Sequence, residues 1–460
     1  MPALPEKRRS TLLAALPFAW LACLGAAYLA DLGRGFIQDD FAWIDAGRFS
    51  GPGGLLDLFG RDLGFYRPIV ALSFGLDERL FGLQPFWFGA TNLLLVVLCA
   101  VALGLALRSL GLSTPAALAA TMLWSFNPHG IGGAVMWISG RTSLLALLFA
   151  LLATWAWSRG RWLLAVPAYA LALLSKEEAA LLPLVLAAWG AFLGEEPGAR
   201  KARRFALTLL AFGPALGLYV ALRSRTTAFL PWNAPEYYAP TASAAALLRN
   251  ALEYLDRTST FMVACVLVAA LVAWSRPRLT RRERLWVLLG VVWMAGGLAT
   301  TVALPVRSSL YAVYPSAGAA LAAGAVLGAL WRDASPGARR RLAVVAVATP
   351  LAMVPIQRSR NVRMVRHGEL SARVVSLVQE HRRALRRGST LALADDPAQR
   401  VNLANTFGTL MDVAARVVAR VPPGRVRIEP DPATGGHLPH GVPALRYRLE
   451  GAELVPVPTS

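Results

Sequence analysis

Apolar residues along this chain gather into runs separated by short polar breaks, at 11–30, 86–107, 114–131, 134–157, 161–174, 177–194, 205–223, 258–275, 285–304, 310–330 and 341–356. Most runs approach the roughly 20 residues that carry a helix across about 30 Å of hydrocarbon. The pattern predicts an all-α polytopic membrane bundle of about 11 transmembrane helices. Lys7-Arg8-Arg9 precedes the first run, as basic residues do in a signal peptide. Thr11 to Leu29 nevertheless exceeds the apolar core of a cleaved signal and reads as the first span.

Two stretches depart from the pattern. Residues 32–84 are rich in charges and aromatics, and within them Ile69, Leu72, Leu76, Leu80 and Leu83 recur at helical spacing. Asp77, Glu78 and Arg79 interrupt that stripe, and charges at the bilayer centre would cost several kcal/mol. An amphipathic helix lying in the membrane interface fits better than a short tilted span. From 357 the chain turns polar. It predicts a helix over 369–387, a strand over 390–394, a helix over 397–419, a strand over 426–428 and a hairpin of 445–449 with 454–457 around Glu450-Gly451. The expected organisation is a transmembrane domain over 1–356, with an external loop and interfacial helix at 32–84, and a small α/β extracytoplasmic domain over 357–460.

The short loops carry the orientation. Lys7 to Arg9, 159–161, 200–204, 276–284 and 332–341 are basic, and they alternate with loops holding Asp39-Asp40, 127–133, 175–178, 231–253 and Arg307. Cytoplasmic loops carry the excess of Lys and Arg, so the basic set and the N-terminus are expected inside and the other set outside. An odd number of spans then puts the C-terminal domain outside as well. The expected localisation is the cytoplasmic (inner) membrane, among its lipids.

Composition fits this. Of 460 residues, 56% are hydrophobic and 16% charged, with a mean hydropathy of +0.48, whereas soluble domains carry about a quarter charged residues. The net charge of +20 sits largely in the short loops, so it reads as a topology signal and not as a nucleic-acid footprint. Cys23, Cys99 and Cys265 each lie inside an apolar run, without the spacing of a disulfide, redox or zinc motif.

Charges at the outer ends of apolar helices are costly to keep there, which singles out a few residues. Asp39-Asp40 follows the first span directly. Two adjacent carboxylates near an apolar boundary resist ionising together, so the pair is either a site for a general base or an ordinary solvated helix end. Asp395-Asp396 has a plainer reading, with Asp396 capping a helix that opens at Pro397. In Ser175-Lys176-Glu177-Glu178, Lys176 is either half of a turn-closing pair with Glu177 or a cation for an anionic ligand. Arg141, in Trp137-Ile138-Ser139-Gly140-Arg141, has no carboxylate within one helical turn, and an unpaired intramembrane guanidinium suits phosphate oxygens. Arg307 shares that outward position. His129, in Asn127-Pro128-His129-Gly130, reads first as a structural loop residue. Zinc-ligand spacing, a phosphate-binding Gly-rich loop and a nucleophile elbow are all missing, which leaves metalloprotease, nucleotidase and serine-hydrolase readings without support.

These pieces, in this order, resemble the GT-C membrane glycosyltransferases, in particular the protein O-mannosyltransferases and their tetratricopeptide-repeat relatives. The matching pieces are Asp39-Asp40, Tyr66-Arg67-Pro68, Phe81-Gly82-Leu83-Gln84-Pro85, Thr91-Asn92-Leu93, Asn127-Pro128-His129, Trp137 to Arg141, Ser175-Lys176-Glu177 and Leu310-Tyr311 to Gly318. They cover residues 11 to 330. Asn127, Gly133 and Ser143 stand where the family has a His, a Glu and an acidic residue, and no tetratricopeptide repeats follow. The resemblance implies a GT-C fold that moves a sugar from a polyprenyl-phosphate donor to a protein, lipid or glycan hydroxyl outside the cytoplasm, with inversion. It implies Asp39, with Asp40 beside it, as catalytic base and Arg141, Lys176 and Arg307 as donor-phosphate ligands. Arg67, His129, Glu177 and Tyr311 are further expected substrate contacts, and a divalent metal is left open. A transporter or flippase for a lipid-linked or anionic solute is the second reading, and a non-catalytic protein on the same fold the third.

Overall fold

Each expected apolar run is helical over most of its length in the computed structural model, which describes residues 6–49, 51–60, 64–193, 197–229, 233–429, 444–451 and 453–457. Among the described residues five helices are long and apolar enough to cross a membrane: Pro85–Ser109, Ile138–Ser158, Gly198–Arg223, Ala244–Ala273 and Pro336–Glu380. Pro17–Asp31 and Trp162–Leu173 are shorter apolar helices. Thr114–Ser125, Leu182–Leu193, Arg281–Ala299 and Ser316–Asp333 account for the other runs. The run expected to reach 131 stops early because Pro128 follows Asn127 and disfavours helix in the residue before it. The stretch 231–253, expected as loop, instead becomes helical at Ala244, with Ser243 capping.

Apolar stripes remain on the outside of the bundle. On Pro85–Ser109, Leu94, Leu98, Val101 and Leu105 are exposed at helical spacing, while Leu95, Cys99, Leu103 and Ala106 are buried. Water would penalise such a stripe, and hydrocarbon accepts it.

The Pro68–Phe81 helix covers the stretch expected to be amphipathic. Leu76 and Leu80 of its apolar stripe are exposed, Ile69 and Leu72 are half-buried against the core, and Val70, Ala71, Phe74 and Asp77 are buried. The three charges find partners instead: Asp77 on Arg141, Glu78 on Arg48 at 2.6 Å, and Arg79 on the Phe49 carbonyl. Against this helix lies Asp39–Gly47, at the closest backbone approach that Gly47 and Gly75 permit, because a Cβ on either would collide with the other.

Pro336–Glu380 runs 45 residues without a break. Beyond it come β1 (Thr390–Ala394), β2 (Val426–Glu429), β3 (Ala444–Glu450) and β4 (Glu453–Pro456), in sheet order β2-β1-β3-β4. β1 is parallel to both neighbours, and β3 and β4 form the expected hairpin. The helix expected over 397–419 is two, Leu403–Phe407 and Met411–Ala419. Asp396 therefore caps no helix at Pro397. Asn402 caps the first of the two, and the Asp395 carboxylate accepts from the Leu403 and Ala404 amides at 2.7 and 2.8 Å.

Candidate active site

Asp39 opens the Asp39–Gly47 helix and lines a cavity of about 690 Å³. Six cations line the same cavity, namely Arg67, Lys176, Arg257, Arg307, Arg360 and Arg363. Trp43, Phe65, Trp137, Tyr238 and Tyr311 add flat apolar faces to its wall. Burial pushes the Asp39 carboxyl above its ordinary value, and the Arg67 charge opposes that rise. Tyr238 is pushed up to about 12, by burial first and by the Asp39 charge next.

Asp40, expected beside Asp39 in the catalytic pair, points away from the cavity. It is fully buried. One oxygen accepts from the Ile37 amide at 2.9 Å, the other from the Ser139 amide at 2.7 Å and the Ser139 hydroxyl at 2.5 Å. Burial raises it to about 7, even though these hydrogen bonds pull the other way. Asp40 thus ties the start of the Asp39–Gly47 helix to the Ile138–Gly140 turn and leaves Asp39 as the carboxylate that faces the cavity.

Arg141 is also corrected. Its guanidinium is fully buried and outside the cavity wall. Its Nη2 donates to Asp77 Oδ2 at 2.6 Å and to the Phe88 carbonyl at 2.9 Å, Nε to Asn92 Oδ1 at 2.9 Å, and Nη1 to the Ser73 hydroxyl at 3.0 Å and carbonyl at 3.2 Å. Guanidinium has five N–H donors, so none remains for a phosphate.

Lys176 and Arg307 do reach the cavity. Lys176 is buried, with Nζ 2.5 Å from Glu178 and donating to the Ser143 hydroxyl at 2.8 Å, and it lies 4.7 Å from the centre of the Tyr311 ring. Its partner is Glu178 and not Glu177. Glu177 instead forms a two-pronged pair with Arg67, at 2.7 and 3.2 Å. Arg307 shares Glu253 with Arg257, its own contact being 2.6 Å. His129 lies beside the cavity-lining Pro128 and Gly130, with Nδ1 3.4 Å from Arg360.

Arg257, Arg360, Arg363 and Tyr238 are cavity residues that sequence reasoning missed. Arg360 and Arg363 had a signal. Arg358, Arg360, Arg363 and Arg366 follow the last apolar run with no acid among them, on the side where the loop alternation expects few cations. The lining residues Arg360, Arg363, Met364 and His367 recur as one face of a helix.

This donor set does not suit a divalent ion. Asp39 is the lining carboxylate among the described residues, it is ringed by cations, and no group of three or more His, Cys, Asp or Glu side chains comes together there or elsewhere among them.

Apolar-faced helices, five of them long enough to span a bilayer, and a small α/β tail together define a polytopic, mostly helical membrane fold. The same fold occurs in the crystal structure of ArnT from Cupriavidus metallidurans in the apo state, at a TM-score of 0.52 and 14% identity over 96% of this chain and 93% of that one. At that identity the likeness carries the fold alone. Neither protein-family models nor curated proteins give a match to the chain.

Proposed function

We propose that this protein is a membrane glycosyltransferase that moves a sugar from a polyprenyl-phosphate donor to an acceptor hydroxyl outside the cytoplasm. The observation that carries this is the shared cavity, where one carboxylate with room for an acceptor faces several cations suited to a phosphate. The fold shared with ArnT, a GT-C glycosyltransferase, supports the same class of reaction.

In this mechanism Lys176, Arg307 and Arg67 hold the donor phosphate, and their charge stabilises the phosphate as it leaves. Asp39 takes the proton of the acceptor hydroxyl as its oxygen attacks the anomeric carbon, in one displacement that inverts the centre. Tyr311, packed on Lys176, keeps that ammonium turned to the cavity. Glu177 serves by fixing Arg67 and not by touching substrate. The basic loops are cytoplasmic, and the cavity and the tail beyond 357 are external.

The test is Asp39→Asn, assayed with a labelled polyprenyl-phosphate sugar and extracted envelope acceptors. Asn keeps the size but cannot accept a proton, so turnover should vanish while donor binding persists. Full activity in this variant would remove the mechanism.

A further inference from the structure

The residue before Asp39 has an unusual backbone. Gln38 sits at φ 45°, ψ −123°, a region that strains a residue with a Cβ and persists only where surroundings impose it. Those surroundings come from far along the chain. The Gln38 amide donates to the Thr406 carbonyl at 2.9 Å, and its side-chain Nε2 donates to the Asn405 carbonyl at 2.6 Å. On either side of this turn the same region makes further contacts. The Ser371 hydroxyl donates to the Phe36 carbonyl at 2.5 Å, and the Phe41 and Phe407 rings stack at 5.9 Å and 21°.

The 402–407 segment is itself firmly held. Asp395 accepts from the amides of Leu403 and Ala404, Asn402 caps the helix, and Thr406 Oγ1 lies 2.8 Å from His367 Nδ1 on the long helix. A second set of contacts joins the far end of the Asp39–Gly47 helix to the Met411–Ala419 helix, through Arg416 on Asp45 at 2.7 Å and Arg48 on the Val417 carbonyl at 3.0 Å. Both ends of the short helix that presents Asp39 are thus fastened to the C-terminal region.

We propose that the 402–407 segment is a positioning element for the reaction, holding the Gln38 turn in its strained form so that the Asp39 carboxylate faces the cavity. Gln38 and Phe407 are its positioning residues. The inference rests on Asp39 being the base. Active-site groups lose rate steeply when displaced by about 1 Å, so loosening the clamp should cost turnover far more than donor affinity.

The experiment compares Gln38→Ala and Phe407→Leu with wild type in two readouts. One is kcat and KM for the labelled polyprenyl-phosphate sugar. The other is hydrogen–deuterium exchange over 36–47, which reports the clamp without reference to catalysis. The expected result is a fall in kcat on the order of 10- to 100-fold, an unchanged donor KM and faster exchange over 36–47 in both variants. Phe407→Leu is nearly volume-conserving, and Gln38→Ala removes one partly exposed side chain, so the pair separates clamping from a general loss of folding. Faster exchange with unchanged kcat, or unchanged exchange in both, would overturn the proposal. Failure of the underlying reading would look different, as Asp39→Asn would then transfer sugar at the wild-type rate whatever the exchange showed.

Discussion

Arg141 and Asp77 form a buried ion pair at 2.6 Å, joining the Arg141–Ser158 helix to the Pro68–Phe81 helix. Removing one member of a buried pair leaves an uncompensated charge and costs about 3–5 kcal/mol. Since Phe88, Asn92 and Ser73 occupy the remaining donors, the pair works as a strut behind the site.

Arg141→Ala should therefore lower thermal stability in detergent sharply. Arg141→Lys should restore little of it, because an ammonium cannot reproduce the guanidinium fork. The stabilisation that added polyprenyl-phosphate donor confers should survive in whatever folded Arg141→Ala protein is recovered. Loss of that donor shift, with stability intact, would return Arg141 to the phosphate site.

Lys176 combines two roles that a double substitution separates. Lys176→Ala strands the buried Glu178 and should destabilise the fold by a few kcal/mol. Lys176→Ala with Glu178→Gln should recover most of that stability but not donor binding, since the cation is still gone. A double variant that binds donor like wild type would make Lys176 purely structural.

Reporter fusions after Arg204 and after Ser460 should lie on opposite sides of the membrane, the first cytoplasmic and the second external. This follows from the alternation of Arg-rich and Arg-poor loops. Both reporters on one side would refute the orientation.

What the sequence made legible follows from how local each signal is. A bilayer demands about 20 apolar residues per crossing, so the helices from 86 to 356 announce themselves. Asp39 was legible because a carboxylate just past an apolar run is costly. Arg141 misled because its partner, Asp77, is 64 residues away on another helix, beyond the reach of any local pattern. Lys176 was given the wrong glutamate for a smaller reason. The Glu177–Leu181 turn sends adjacent side chains in different directions, Glu177 to Arg67 and Glu178 to Lys176. The Gln38 clamp could not be read at all, since it depends on main-chain carbonyls at 405 and 406 that any residue would supply.

The two adjacent carboxylates should be separable by pH. Asp40 has an ordinary value of 3.8 and a folded value of about 7, so the native state binds its proton more tightly than the unfolded chain does. Its contribution to stability is complete below about pH 4 and is lost as the pH rises through about 7. Thermal stability should fall across that window, and Asp40→Asn, which cannot ionise, should flatten the slope. As the proposed base, Asp39 should govern activity in the opposite sense, because it must be ionised to accept a proton. Its carboxyl is raised by burial, so the acid limb of kcat/KM should lie above the ordinary carboxylate range, with activity growing as the pH rises. The Arg67 charge holds that rise back. Arg67→Ala should consequently move the acid limb to higher pH, while Arg67→Lys, which keeps the charge, should move it less. Because Arg67 is also expected to hold donor phosphate, total activity will drop in both variants, and the position of the limb is the informative quantity. A limb that stays in place in Arg67→Ala would mean that the titrating group is not Asp39.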